Sequence, residues 1–277
     1  MKKKTFAPYL TTSLTIIAAI IFFIACNKEA TNQTRLNASN TENADAKVSL
    51  VAWYTFNGDT KDHSGNGNDV IFNSATPTVG KDGQPNTAYY FDGTESYMQV
   101  ADDSSLNPKR AVTLFAVIKP MGFYQGQCHG NRIISKGYND FASDRLDLGY
   151  DDAPFYQYQG CDLPVREKYE SSYGSYGNGS SATGGRDTTE YIKTNKWYVL
   201  VYTYDGTTSK YYINGVLKDS VVASTTFKPS GDPLFIGRNQ DPSFPYYFTG
   251  VIDEIRIYRT AIDPLTVQQL SNTLLKN

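Results

Sequence analysis

Hydrophobic and polar positions alternate in short stretches along most of the chain from about residue 48 onward. Leu50, Ala52, Tyr54 and Phe56 fall on one face of an extended segment, and Val112, Leu114, Ala116 and Ile118 form a second row that Pro120 ends. A period of two sends alternate side chains to opposite faces, which predicts half-buried β-strands. Trp197 to Tyr204 is a longer run of aromatic and β-branched residues. Lys210–Ile213 and Val216–Lys218 flank Asn214-Gly215, the pair that suits a type I′ hairpin because both central residues need φ > 0. Leu234 to Gly237 and Val251 to Tyr258 predict two further strands. One helix is predicted near the C-terminus, with Asp263 as N-cap, Pro264 at the first helical position and a run through Leu270 and Leu274. Many short strands with Gly, Asn and Asp between them predict an all-β sandwich of antiparallel sheets. From about Pro154 to Tyr191 the chain is rich in Tyr, Gly and Ser and loses its periodicity. Loops this long inside a domain are usually functional or disordered.

The first residues follow a different pattern. Lys2, Lys3 and Lys4 precede a mostly apolar stretch from about Ala18 to Ala25, which is the order of a secretory signal and too short for the roughly 20 apolar residues of a span. Phe23-Ile24-Ala25-Cys26 resembles a lipobox, in which Cys26 is acylated and becomes the new N-terminus. Glu29 soon after it is similar to the surface-export signals of Bacteroidota lipoproteins. Residues 26–47 hold one Leu, no aromatic residue and many polar ones, so they read as a disordered tether. The expected organisation is a signal peptide at 1–25, the tether at 26–47 and one domain at 48–277. The expected location is the outer membrane or cell surface, with the membrane engaged through the lipid alone. The formal charge of −2 becomes −5 without the leader's three lysines, and the domain has no basic run, which argues against nucleic acid as a partner.

With Cys26 given to lipid, Cys128 and Cys161 remain as an even pair in an oxidising compartment and are expected to form a disulfide. Asp62, Asn66 and Asn68 lie in a Gly-broken loop and offer the hard oxygens that calcium takes, although Asn, Asp and Gly are also what turns use. Asp253 is expected on one strand face with Val251, Ile255 and Ile257, where a carboxylate needs an ion partner or a metal. Tyr150, Tyr156 and Tyr158 are candidates for stacking on sugar rings near the irregular segment. Asp144 and Asp147 are three apart, so a strand sends them to opposite faces, and His63 and His129 have no nucleophile motif near them. Trp53 and Trp197 read as structural.

Several fragments taken in order resemble the laminin-G-like, concanavalin-type lectin/glucanase family. They are Leu50–Gly58, Asp62–Asn68, Tyr89-Tyr90-Phe91-Asp92-Gly93, Trp197-Tyr198-Val199, Tyr204-Asp205-Gly206, Tyr211–Gly215, Ile236-Gly237 and Asp253–Tyr258 followed by a helix. The resemblance implies a jelly-roll of two antiparallel sheets, often with structural calcium and often used to bind glycans. It implies that the first and last strands lie near one another, so that Asn57, Asp62, Asp92 and Asp253 would converge as calcium donors. The glucanases of this fold carry two catalytic carboxylates in an E-x-D-x-x-E string, and that string does not occur here. The expected function is that of a non-catalytic carbohydrate-binding envelope lipoprotein. A surface adhesion or protein-interaction module and a glycoside hydrolase are the alternatives.

Overall fold

The computed structural model describes residues 49–125, 130–137, 145–151, 170–174, 183–184, 192–222 and 231–276. In chain order the early strands are β1 (Leu50–Tyr54), β2 (Val70–Asn73), β3 (Thr76–Thr78), β4 (Ala88–Asp92) and β5 (Met98–Val100). Then come β6 (Val112–Pro120), β7 (Gly130–Lys136), β8 (Arg145–Asp151), β9 (Glu170–Gly174) and β10 (Thr183–Gly184). The last are β11 (Tyr198–Tyr204), β12 (Thr208–Ile213), β13 (Val216–Val222), β14 (Leu234–Ile236) and β15 (Thr249–Tyr258), followed by the helix α1 (Pro264–Leu275). One sheet runs β13-β12-β11-β6-β15-β4-β3 with β1 also on β15, and the other runs β10-β9-β8-β7-β14-β5-β2. Every pairing is antiparallel. This is the two-sheet sandwich with a C-terminal helix that the alternation predicts.

The predicted apolar rows form the core between the sheets. Ala52, Tyr54 and Phe56 meet Val112, Leu114, Ala116 and Ile118, and Ile134, Leu146, Leu148, Leu234 and Ile236 face them from the second sheet. Each Val, Leu, Ile or Phe among them is worth roughly 1.5–3 kcal/mol when fully covered. Asn214 and Gly215 sit at φ of 54° and 79°, as the hairpin requires. Asp263 caps α1 by accepting from the Leu265 and Thr266 N–H groups. The helix packs over that hairpin so closely that a Cβ on Gly215 would meet the Gln268 Cα at 3.0 Å.

Two expectations change. The segment 154–191 contains β9 and β10, which extend the second sheet beyond β8. Backbone pairing needs no apolar alternation, so a Ser-, Gly- and Tyr-rich stretch can pair while showing no strand pattern. The second change concerns β15. Its register slips between Ile252 and Glu254 against β6, which leaves Asp253 as the extra residue of a β-bulge. The bulge shifts the phase of the strand: Ile252, Ile255 and Ile257 enter the core while Val251 does not. Asp253 is therefore not in the buried row in which the alternation placed it.

Candidate functional site

The four expected calcium donors occupy separate roles. Asn57 sits exposed just beyond β1. The Asp62 carboxylate is spent on its own loop and on the free edge of β1. Its Oδ1 accepts from the Trp53 and Ser64 N–H groups at 2.9 and 2.8 Å, and its Oδ2 accepts from the Ser64 hydroxyl and Asn68 N–H at 2.8 and 3.0 Å. Asn68 and Asn66 donate their amide N–H to the Val51 and Leu50 carbonyls at 2.7 and 3.0 Å. The loop thus satisfies backbone groups on the side of β1 away from β15, which edge strands otherwise leave open. Asp92 Oδ1 accepts from the Thr94, Glu95 and Ser96 N–H groups at 2.8, 2.9 and 3.0 Å. Burial raises its pKa, but those hydrogen bonds outweigh it and hold the carboxyl well below the usual range. Asp253 accepts from the Lys81 N–H at 2.7 Å, and burial pushes its carboxyl up to about 6. Among the described residues no three carboxylate, imidazole or thiol side chains gather as a metal would need. Asp62, Asp92 and Asp253 each take their backbone N–H donors from a different part of the chain.

The tyrosines predicted to stack on sugar divide. Tyr150 belongs to the core, fully covered, with its ring edge-on to Phe123 and Phe248 at 6.1 and 6.4 Å, so it has no face open to a ligand. Tyr156 and Tyr158 lie outside the described residues, as do Cys26, Cys128 and Cys161. Trp53 is structural as expected. Its indole N–H donates to Glu254 at 2.6 Å, and Arg256 lies over its ring at 5.1 Å.

A concave surface forms where the edge strands of the two sheets meet. β2 leaves the second sheet, and β3 joins the first two residues later. Phe72, Ser74, Thr76, Tyr90, Asp92, Glu95, Ser96, Tyr97 and Tyr247 line a groove of about 620 Å³ there. Phe72 is 44% exposed and lies 4.8 Å from the Tyr97 ring. The groove offers aromatic faces beside hydroxyls and carboxylates, the mixture that small polar ligands use.

Its far wall comes from the connection between β14 and β15, a folded loop held down at several points. Gly237 N–H donates to the Ile133 carbonyl at 2.9 Å and Arg132 N–H to the Tyr246 carbonyl at 2.9 Å. The Ser135 hydroxyl donates to Asn239 Oδ1 at 3.0 Å, and Gly137 N–H donates to Gln240 Oε1 at 3.0 Å. Within the loop, Asn239 donates to the Pro245 and Phe244 carbonyls at 2.7 and 3.0 Å. These ties fix Tyr247 at the groove. Of the lining residues only Asp92 stood among the sequence candidates. The Tyr246-Tyr247 pair between two predicted strands was the remaining signal, and nothing in the pattern of Val70–Asn73 marks β2.

A laminin G family described as the concanavalin A-like lectin/glucanases superfamily matches residues 92–268. The chain belongs to that family. Among solved structures, this laminin-G-like domain is similar to domain 4 of AbnA, an extracellular GH43 arabinanase from Geobacillus stearothermophilus solved with arabinotriose. The two share 25% identity at a TM-score of 0.58, over 80% of this chain and 98% of that one. It is also similar in fold to the binding domain of Paraclostridial Mosquitocidal Protein 1, with 17% identity, a TM-score of 0.63 and 82% of this chain covered. A structure of botulinum neurotoxin type C, whose cell entry is dependent upon interaction with two ganglioside molecules, matches at 14% identity and a TM-score of 0.57 over 83% of this chain. The chain spans about half the length of each toxin fragment, 53% and 52%. A search of curated protein sequences finds no match.

Proposed function

We propose that this is a non-catalytic glycan-binding domain, carried on the cell envelope by a lipid at Cys26, with the edge groove as its sugar site. The observation that carries the reading is the convergence of Phe72, Tyr90, Tyr97 and Tyr247 with Ser74, Thr76, Ser96, Asp92 and Glu95 in one open groove. Rings present apolar faces to the C–H side of a sugar, and hydroxyl and carboxylate oxygens take its O–H groups. Asp92 stays ionised with one oxygen filled by three N–H groups, so it acts as a fixed acceptor and holds no proton to give a leaving group. The arabinotriose complex of a relative that this chain covers almost completely supports a sugar ligand for this shape.

Calorimetric titration with arabinotriose and a panel of oligosaccharides tests the reading. Tyr97→Ala and Tyr247→Ala are each expected to weaken binding about tenfold, because a stacked ring is worth about 0.5–1.5 kcal/mol beyond its buried area. Undiminished binding in both variants would remove the groove from the ligand. Release of reducing ends from any polysaccharide by the pure protein would overturn its non-catalytic character. Cys26→Ala is expected to move the protein from the membrane fraction to the soluble one, and retention on the membrane would end the lipid assignment.

A further inference from the structure

Three arginines lie over aromatic rings among the described residues. Arg132 lies over Tyr246 at 5.1 Å and pairs with Asp147 at 3.4 Å. Arg256 lies over Trp53 and Phe115 at 5.1 and 5.6 Å and pairs with Glu254 at 2.5 Å. Arg238 lies over three rings, Tyr97, Phe235 and Tyr247, at 5.0, 5.2 and 5.4 Å, and no described carboxylate pairs with it. Two of those rings, Tyr97 and Tyr247, line the groove. Asp241, three residues further on, turns its Oδ1 to the Ser243 N–H at 2.8 Å.

We infer that Arg238 makes the groove selective for acidic sugars, taking the carboxylate of a uronic or sialic acid residue. This rests on the groove being the glycan site. The guanidinium is held in place before any ligand arrives: rings flank it, and its Nε donates to the Asn239 carbonyl at 2.7 Å. Its other contacts, Nη1 to Tyr247 Oη and Nη2 to the Gln240 carbonyl, are both at 3.5 Å, the weak end of hydrogen bonding. A guanidinium carries five N–H donors, so beyond the Nε bond and the two weak contacts one N–H on each Nη remains to be used, next to two rings that line the groove. Planar, paired N–H groups match a carboxylate with two parallel hydrogen bonds, and a loop already fixed loses little freedom in making them. Two acids oppose this in the groove. Asp92 has its charge largely answered by three backbone N–H groups. Glu95 is solvent-exposed, so salt screens it over about 8–10 Å. The ligand carboxylate is therefore drawn to Arg238, beside the Tyr97 and Tyr247 rings.

The test is calorimetric titration of the full chain with two matched pairs: trigalacturonate against its methyl ester, and 3′-sialyllactose against lactose. The acid of one pair is expected to bind about tenfold tighter than its neutral partner at low salt, as one charge-assisted contact implies, with the gap narrowing at high salt. The pair that shows the gap identifies the source of the carboxylate. Arg238→Gln is expected to bring the acid down to the neutral ligand's affinity measured in the same variant, closing the gap within the pair, and a cooperative thermal melt shows that the variant folds. Arg238→Lys keeps the charge without the fork and is expected to restore only part of the gap. Equal affinity within both pairs, no binding of either acid, or a gap that survives Arg238→Gln overturns the inference. The groove itself is judged separately, by arabinotriose binding in Tyr97→Ala and Tyr247→Ala.

Discussion

Asp253 shows how far one residue's chemistry depends on local backbone geometry. The bulge carries its carboxylate out of the apolar row of β15 and under the turn of Gly80 and Lys81, where a Cβ on Gly80 would meet its Oδ2 at 2.7 Å. Burial there raises the carboxyl to about 6, more than the Lys81 N–H lowers it. The folded state then holds a proton that the unfolded state releases between about pH 4 and pH 6. Stability from this group is present below that window, is lost as pH rises through it, and stays flat above it. Asp253→Asn keeps the acceptor for Lys81 and removes the charge. It is expected to raise stability at pH 7 by about 1–2 kcal/mol, after allowance for partial exposure, and to flatten the loss between pH 4 and 6. Thermal melts across pH check it. A variant that melts lower than wild type in calcium, with no difference in chelator, would instead assign the carboxylate to a bound cation. Sequence alternation brought out Asp253 as an anomaly but misjudged its face, because a bulge adds one residue without leaving a mark in the apolar pattern.

At the scale of elements, the long strands were legible and the short ones were not. β6 and β11 carry enough alternating apolar residues to declare themselves, and Asn214-Gly215 marks its hairpin by conformational need. β2, β3 and β5 are three or four residues each, too short for a period to show. The groove is built where β2 and β3 meet β4, the β4–β5 turn and the β14–β15 loop, so its residues come from three stretches of the chain, 72–76, 90–97 and 247, that no local pattern joins. The loop depends on Gly237, which sits at φ +84° with the Phe91 ring pressed against the place a Cβ would occupy. A side chain there is strained in backbone and blocked by a core ring, and Gly237 also ties the loop's two ends through the Ile133 carbonyl and the Phe248 N–H. Gly237→Ala is expected to cost about 2–4 kcal/mol and to weaken glycan binding beyond what lost stability explains. Chemical denaturation with parallel titration at low temperature separates the two effects. A variant as stable as wild type would show that Phe91 has room to move.

At the scale of the whole molecule, the strand register bears on a pair of cysteines outside the described residues. β7 begins at Gly130, which pairs with Asp151 at the end of β8, and β9 begins at Glu170, next to Gly149 near that same end of β8. The chain therefore enters β7 and β9 at one end of the second sheet, with β8 between them. Cys128 lies two residues before β7 and Cys161 nine before β9, a span that an extended chain of about 3.3 Å per residue crosses easily. If the protein is exported, as proposed above, register adds a topological reason to the arithmetic that pairs them. A bond between them closes a loop of about 33 residues and is worth roughly 3–4 kcal/mol through the unfolded chain. For a domain of this size that corresponds to a fall in Tm on the order of 10 °C when the bond is lost. The folded, unreduced protein is expected to show no thiol reactive at these positions, and Cys128→Ser with Cys161→Ser is expected to melt lower than wild type but like wild type kept reduced. Two freely labelled thiols, or a double variant as stable as the oxidised protein, would refute the pairing.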